Sequence, residues 1–335
     1  LATTDPGGLA EAVRADGSLA NRSAGVGETS LVELIAQTEP DLVVNAVVGF
    51  AGLLPTMAAL EAGVPVAIAN KETVVTGGRL LLDAARRSGA RLIPIDSEHV
   101  AISQCLNGER LEDVSRVIMT ASGGALRDMS PEEIERVTVE EVLRHPNWDM
   151  GDKITVDSAT LVNKGLEIIE ARWLFELPYS KIDVVVHPQS IVHSFVEFVD
   201  GSIVAQMGQP DMRLPILYAL SYPDRVPSTM RDDVCAFPSL TFAAVDERKY
   251  PCFGLVRRAA EAGGSAPTVL NAANEIAVGA FLSGEIPFVR IREVIEGALT
   301  AVPSRGLDSL EDVVETDTTT RAWVEEHFSI GKRKE

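Results

Sequence analysis

Asp96 and Glu98 stand two residues apart at the end of the apolar run Arg91-Leu-Ile-Pro-Ile95. On an extended backbone both carboxylates point to the same side and can share one cation. Oxygen-only donors favour Mg2+ or Mn2+, which keep water or substrate oxygens in their remaining octahedral positions. Alone, the pair is better read as a solvated acidic turn. A second segment changes that balance. Helical spacing over Asp157 to Phe175 predicts one long helix, with Asn163 and Glu167 four apart, Lys164 and Glu167 three apart, and Glu170 just beyond on the same face. Leu161, Leu166, Ile168, Ile169, Trp173 and Leu174 make the rest of it apolar and predict burial. A buried polar stripe needs partners: a metal, an anion, or an internal Lys164–Glu167 salt bridge. Asp96, Glu98 and Glu167 are therefore the predicted metal ligands, and the chain is predicted to be an enzyme.

Around these lie groups suited to a phosphate and to a lid. Ser122-Gly-Gly follows a strand-like run, so its hydroxyl and N–H groups are candidates to cradle a phosphate. Ser158, expected near the start of the Asp157 helix, is read first as a cap. His145-Pro-Asn-Trp-Asp-Met-Gly151 joins a turn proline, a tryptophan, a methionine and a glycine, as a loop closing over a substrate requires. His187 and His193 sit on strand-like sequence and are read as structural.

The elements that must position these groups alternate. Asp41 to Val48, Pro65 to Ala69 and Arg91 to Ile95 are short β-branched runs, and Leu53 to Ala62 and Gly78 to Ser88 between them are helical, which predicts a doubly wound parallel sheet. Ligands of such sheets sit beyond the carboxyl ends of the strands, here Asn70-Lys71-Glu72 and Asp96-Ser97-Glu98-His99. Val117 to Thr120, a capping-box helix start at Ser130-Pro-Glu-Glu133, and strands at 182–186, 194–198 and 202–206 then predict an α+β middle region. Pro267 to Leu282, Phe288 to Leu299 and Asp317 to Phe328 predict a small helical C-terminal bundle. The expected division is a Rossmann-like, N-terminally incomplete domain over 1–96, a catalytic domain over 97–222, a linker over 223–250 and the helical domain over 251–335.

The 335 residues carry a formal charge of −19 without a basic stripe, which argues against nucleic acid and anionic membrane as partners. No apolar run reaches the length of a membrane span. Small molecules remain, and an acidic protein binding an anion must concentrate groups such as Lys71, His145 and Lys164 locally. Cys105, Cys235 and Cys252 match no zinc or disulfide spacing, consistent with a reducing cytoplasm.

Side by side, A-N-K-E-T-V-V from Ala69, P-I-D-S-E-H from Pro94, T-A-S-G-G from Thr120, H-P-N-W-D-M-G from His145, V-D-S-A-T-L-V-N-K-G-L-E from Val156, H-P-Q-S-I-V-H-S from His187, P-D-M-R-L-P from Pro210 and N-A-A-N-E-I-A-V from Asn271 resemble the 1-deoxy-D-xylulose 5-phosphate reductoisomerase family. The resemblance implies an NADPH-dependent, Mg2+- or Mn2+-requiring homodimer that isomerises and reduces a phosphorylated ketose. It implies metal ligands at Asp96, Glu98 and Glu167, with Lys71, Glu98, Lys164 and Glu167 catalytic. Substrate contacts fall on Lys71, Ser97, Glu98, Ser122, His145, Ser158, Asn163, Lys164 and Glu167, and cofactor contacts on Asn70, Glu72 and Gly151. One departure stands out: nothing ahead of Asp41 matches the family's G-x-T-G-x-x-G turn, and Gly49-Phe-Ala-Gly52 has the wrong spacing to replace it. The expectation is an incomplete chain. Another NAD(P)-dependent dehydrogenase of α/β architecture and a catalytically silent phosphosugar-binding remnant are the competing readings.

Overall fold

The computed structural model describes residues 2–3, 25–26 and 30–331. The expected glycine-rich turn concerns residues ahead of Asp41, most of which lie outside that range. Strands β1 (Ala2–Thr3) and β2 (Gly25–Val26) form a parallel pair, and helix α1 (Ser30–Thr38) follows. The predicted alternation then appears as β3 (Val43–Asn45), α2 (Leu53–Glu61), β4 (Val66–Ile68), α3 (Lys71–Ser88) and β5 (Leu92–Pro94). The three strands pair in parallel in the order β3-β4-β5, and central β4 is buried throughout. That burial on both faces is why Val66-Ala-Ile68 reads as a continuous apolar run.

Helix α3 starts seven residues earlier than the Gly78 to Ser88 expectation. Asn70 caps it by accepting the Thr73 N–H at 2.7 Å, which places Lys71 and Glu72 in its first turn rather than in a strand end. Gly78 kinks it where the Trp173 ring packs. Helix α4 (Ser97–Cys105) likewise begins at once after Asp96, so Asp96 and Glu98 are not on extended backbone as expected: Glu98 lies in the first helical turn. A helix start turns both carboxylates toward the strand ends by another route.

The middle region is built on a mixed sheet of order β10-β7-β6-β8-β9, from β6 (Val114–Ala121), β7 (Ile182–Val186), β8 (Val192–Phe198), β9 (Ile203–Met207) and β10 (Ala243–Ala244). Short helices α5 (Pro131–Ile134) and α6 (Val139–Val142) each carry a capping box, the first at Ser130 as the sequence indicates. The single long helix expected over Asp157 to Phe175 is instead two, α7 (Asp152–Thr160) and α8 (Val162–Leu174), broken at Leu161 with φ +57°. Leu161 is buried, so tertiary packing holds a backbone conformation that a leucine adopts rarely. Ser158 therefore sits near the end of α7, not at a cap.

Helices α9 (Arg213–Ser221), α10 (Pro251–Ala262), α11 (Ala266–Leu282), α12 (Arg290–Ala301) and α13 (Leu310–Phe328) complete the chain. The largest core joins Val156, Leu166 and Ile169 of α7 and α8 to Val256, Leu270, Phe281, Ile295 and Val324. The C-terminal helices thus brace the elbow from behind. Gly165 marks the closest approach: a Cβ there would lie 2.6 Å from Val256 Cβ. Alanine is the better helix former by about 1 kcal/mol, but overpacking a core costs roughly 1–3 kcal/mol. Gly165→Ala is expected to lower the unfolding free energy by about 1 kcal/mol, measured by denaturant titration. A stabilised variant would show that Val256 yields without cost.

Candidate active site

A cavity of about 300 Å3 opens at the carboxyl ends of the parallel strands, between α4, the α7–α8 elbow and the loop over His145 to Met150. Its wall brings together Lys71, Asp96, Ser97, Glu98, Ser122, His145, Ser158, Asn163, Lys164 and Glu167. Asn70, Glu72 and Gly151 stand outside it, and Trp148 and Met150 line it from the loop.

Its centre is a network of two ammonium groups and three carboxylates. Lys71 Nζ lies 2.7 Å from Asp96 Oδ2 and 3.2 Å from Glu167 Oε1, and donates to Asn163 Oδ1 at 2.6 Å. Asn163 passes the constraint on by donating to Glu167 Oε1 at 2.6 Å. Lys164 Nζ donates to Glu98 Oε1 at 2.7 Å and to Glu167 Oε2, so the internal salt bridge foreseen as an alternative is present inside a larger network. Burial penalises both ammonium groups, but the surrounding carboxylates outweigh it and raise their pKa values. Burial also raises Glu98, yet Lys164 and the Ser97 hydroxyl bring it down to about 2.

Three carboxylates against two ammonium groups leave one negative charge in excess. Asp96 is the least well compensated of the three: burial and the neighbouring Glu167 raise its pKa despite Lys71, and its buried Oδ2 has the ion contact with Lys71 but no aligned hydrogen bond. An under-satisfied buried carboxylate oxygen within an all-oxygen donor set fits a hard divalent cation. The chain's donors thus match Mg2+ or Mn2+.

Sequence reasoning missed the layer behind this network. His99 is fully buried, with Nε2 3.0 Å from the Glu167 carbonyl and Nδ1 3.2 Å from Glu170 Oε2. Asp96, His99 and Glu170 offer ligand atoms within 4.8 Å of one another. Burial and the nearby carboxylates raise the Glu170 pKa well above its ordinary value, and its Oε2 faces His99 Nδ1 while Nε2 lies against the Glu167 carbonyl. The imidazole then pins the backbone of a cavity carboxylate. Lys153 was missed too: it bridges Glu72 Oε1 and Asp157 Oδ2, the latter at 2.8 Å, and the Lys153–Asp157 spacing of four is a legible helical pair. His193, read as structural, lines the cavity near Trp148. His187 is structural as expected, donating to Thr241 O and accepting the Ile191 and Val192 N–H groups.

The other end of the cavity carries hydroxyls. Gly124 has φ +67°, and an added Cβ would lie 2.7 Å from Ala159 Cα and Ser158 O, so only glycine lets the Ser122 turn rest on α7. Ser122 and Ser158 thereby face one space. His145 Nδ1 accepts the Asn147 and Trp148 N–H groups at 3.2 and 3.0 Å, which places its proton on Nε2, 2.9 Å from Ser122 Oγ. Ser122 Oγ also accepts the Gly124 N–H, leaving its own proton free to donate into the cavity.

Models of the 1-deoxy-D-xylulose 5-phosphate reductoisomerase family match residues 8–78, and models of its C-terminal domains match 92–175 and 207–323. The chain is 54% identical over 300 residues to the enzyme of that name from Geobacillus sp. (strain WCH70), covering 89% of this chain and 79% of the relative. It is 51% identical over 302 residues to that of Bacillus subtilis (strain 168), covering 90% and 79%. A solved DOX-P reductoisomerase in complex with NADPH, fosmidomycin and magnesium superposes with TM-score 0.91 at 38% identity, over 99% of this chain and 87% of the other. The Zymomonas mobilis enzyme in complex with NADPH gives 0.87 at 41%, over 97% and 84%.

Burial, and secondarily Arg127, lowers the His145 pKa to about 4. The imidazole is accordingly neutral at pH 7. Because this value lies below the unfolded one of about 6.5, the stability it contributes is full above that value and is lost as pH falls toward 4. NMR titration of the His145 ring is expected to give a midpoint near 4. A midpoint near the unfolded value would contradict the Nδ1 contacts that shape the loop.

Proposed function

The chain belongs to the 1-deoxy-D-xylulose 5-phosphate reductoisomerase family, and from that premise we propose that the cavity at the α7–α8 elbow is where its reaction runs. The enzyme isomerises 1-deoxy-D-xylulose 5-phosphate and reduces the product with NADPH to 2-C-methyl-D-erythritol 4-phosphate, in non-mevalonate isoprenoid biosynthesis, with a divalent metal. The observation that carries the assignment of the site is the buried convergence of Asp96, Glu98 and Glu167 with Lys71 and Lys164, one cavity-length from Ser122, His145 and Ser158.

Asp96, Glu98 and Glu167 hold the Mg2+ or Mn2+, which when bound supplies Lewis-acid stabilisation of negative charge on substrate oxygen. Lys164 and Asn163 bind the substrate's hydroxyls, and Lys71 holds both Asn163 and the carboxylates in register. The Ser122 and Ser158 hydroxyls and the neutral His145 take the phosphate, with Ser97 steadying Glu98. Trp148 and Met150 line the site from the loop and would exclude water from the aldehyde. Asn70 and Glu72, at the start of α3 beside the end of β4, and Gly151, just ahead of α7, lie outside the substrate cavity and are read as part of the NADPH site. The division at residues 96, 222 and 250 and a cytoplasmic setting belong to the same reading; no helix among the described residues is long and apolar enough to cross a membrane.

Strand β9 supports a homodimer. It is an unpaired sheet edge with Ile203, Val204 and Met207 exposed and Val199 beside it, an edge that a second copy would cover.

Two experiments test these assignments. Glu167→Gln is expected to reduce turnover with Mg2+ or Mn2+ by about a hundred- to a thousandfold at unchanged circular dichroism; retained turnover would remove Glu167 from the site. Replacing Ile203 and Val204 together by lysine is expected to halve the mass seen by light scattering. An unchanged mass would move the interface elsewhere.

A further inference from the structure

The stretch Asn271-Ala-Ala-Asn-Glu275 on α11 takes no part in the substrate cavity, yet its polar side chains are buried or half-buried and aimed at two separate elements. Glu275 Oε1 accepts the backbone N–H of Phe50 at 3.0 Å, across 225 residues of sequence, and is held for that contact by Asn271 Nδ2 at 2.9 Å. Its other oxygen takes Arg321 Nη2 at 2.6 Å, and Arg321 is in turn fixed by Asp317. A carboxylate clamped on both oxygens has little freedom to leave.

Phe50 belongs to the turn that leaves the carboxyl end of β3. The other side-chain hydrogen bonds of that turn come from β3 itself and from the start of α3. Asn45 accepts the Val47 N–H and donates to Gly52 O, while Asn70 donates to the Val47 and Gly49 carbonyls. Glu275 is the group that comes from the C-terminal helices. Gly49 shows how close it stands: φ is +74°, and a Cβ would lie 2.8 Å from Glu275 Oε1. The neighbouring Asn274 donates to Asp157 Oδ1 at 2.8 Å, and Asp157 holds Lys153, which holds Glu72. Adjacent residues of one helix therefore tether both sides of the group formed by Asn70 and Glu72.

We propose that Glu275 is a positioning residue for the nicotinamide cofactor, fixing through the Phe50 N–H the β3 turn on which Asn70 is seated. This rests on the reading of Asn70, Glu72 and the strand ends as the NADPH side of the site. Losing the acceptor leaves the Phe50 N–H without its partner and lets the turn relax, so cofactor affinity falls while the metal network, which shares no hydrogen bond with Glu275, keeps its geometry.

The test uses the full chain, with NADPH binding followed by nicotinamide fluorescence and Mn2+ binding by electron paramagnetic resonance. Glu275→Ala is expected to weaken NADPH about tenfold, the loss of one hydrogen bond to a charged group, and to leave Mn2+ affinity within about twofold, well inside the error of such a loss. Glu275→Gln, which keeps an oxygen for Phe50, is expected to restore most of the affinity. Unchanged NADPH binding in Glu275→Ala, parallel weakening of NADPH and Mn2+, or a Gln variant as weak as the Ala variant would each overturn the proposal. If Glu275→Ala does not fold, Phe50→Pro removes the N–H that Glu275 accepts, and it must show the same selective weakening or the proposal fails. Absence of NADPH binding by the unsubstituted chain would overturn the underlying reading of the strand ends, and this proposal with it; intact NADPH binding with Mn2+ unaffected by Glu167→Gln would overturn the metal assignment alone.

Discussion

Everything in the centre of this protein depends on two lysines being buried. Lys71 and Lys164 are held almost wholly out of water, and a buried ammonium is tolerable only when carboxylates and hydrogen-bond acceptors surround it. Two elements meet that demand: Asp96 and Glu98 from the start of α4, and Asn163 and Glu167 from α8. The converse constraint is as strong, since those carboxylates could not share the space without the lysines. The result is a set of oxygens fixed by mutual neutralisation, with one charge left over for a cation.

That network requires α3, α4 and α8 to point at one spot, and the packing is arranged to secure it. Asn70 starts α3 at the strand end, so Lys71 emerges there. The break at Leu161 turns α8 away from α7, which lets Ser158 and Glu167 reach the cavity from different sides. Gly124 seats the Ser122 turn against α7, and the C-terminal helices press on α7 and α8 through a shared core. His99 and Glu170 stand behind, taking up the Glu167 carbonyl. Each device is weak alone; together they leave the site no alternative arrangement of similar energy.

The sequence made the chemistry legible where partners are close along the chain. Asn163, Lys164 and Glu167 follow from helical spacing, and Asp96 and Glu98 from their separation of two, although the backbone between them proved helical. What escaped is set by contacts across the fold. No glycine or proline marks the elbow at Leu161, because packing rather than local preference holds its left-handed backbone. Lys71 gave no sign of its bonds to residues 92 and 96 positions away. Glu170 looked like one more polar residue on a helical face, and its role depends on a histidine from another helix. The strand and helix order of the parallel sheet was plain from alternation, whereas helix starts at Lys71 and Ser97 were hidden by residues that suit a strand end equally well.

By simple electrostatics a chain of charge −19 that binds a phosphate should present free cations to it. It does not. Lys71, Lys164 and Lys153 are each neutralised by carboxylates, and Arg127 beside the Ser122 turn pairs with Asp128 while donating to the Ser122 carbonyl. On the proposed reading the phosphate end of the cavity is consequently built from neutral donors, the Ser122 and Ser158 hydroxyls and turn N–H groups, with the uncharged His145 imidazole donating to Ser122 Oγ. Neutral dipoles bind an anion without offsetting its formal charge, so in that reading a divalent cation at the other end, with three carboxylates and two ammonium groups around it, would supply one net positive charge against the phosphate. Phosphate recognition and metal binding are on this account coupled through charge alone, over the length of one small sugar, and the lysines serve to keep that coupling local by cancelling the carboxylates nearest to it.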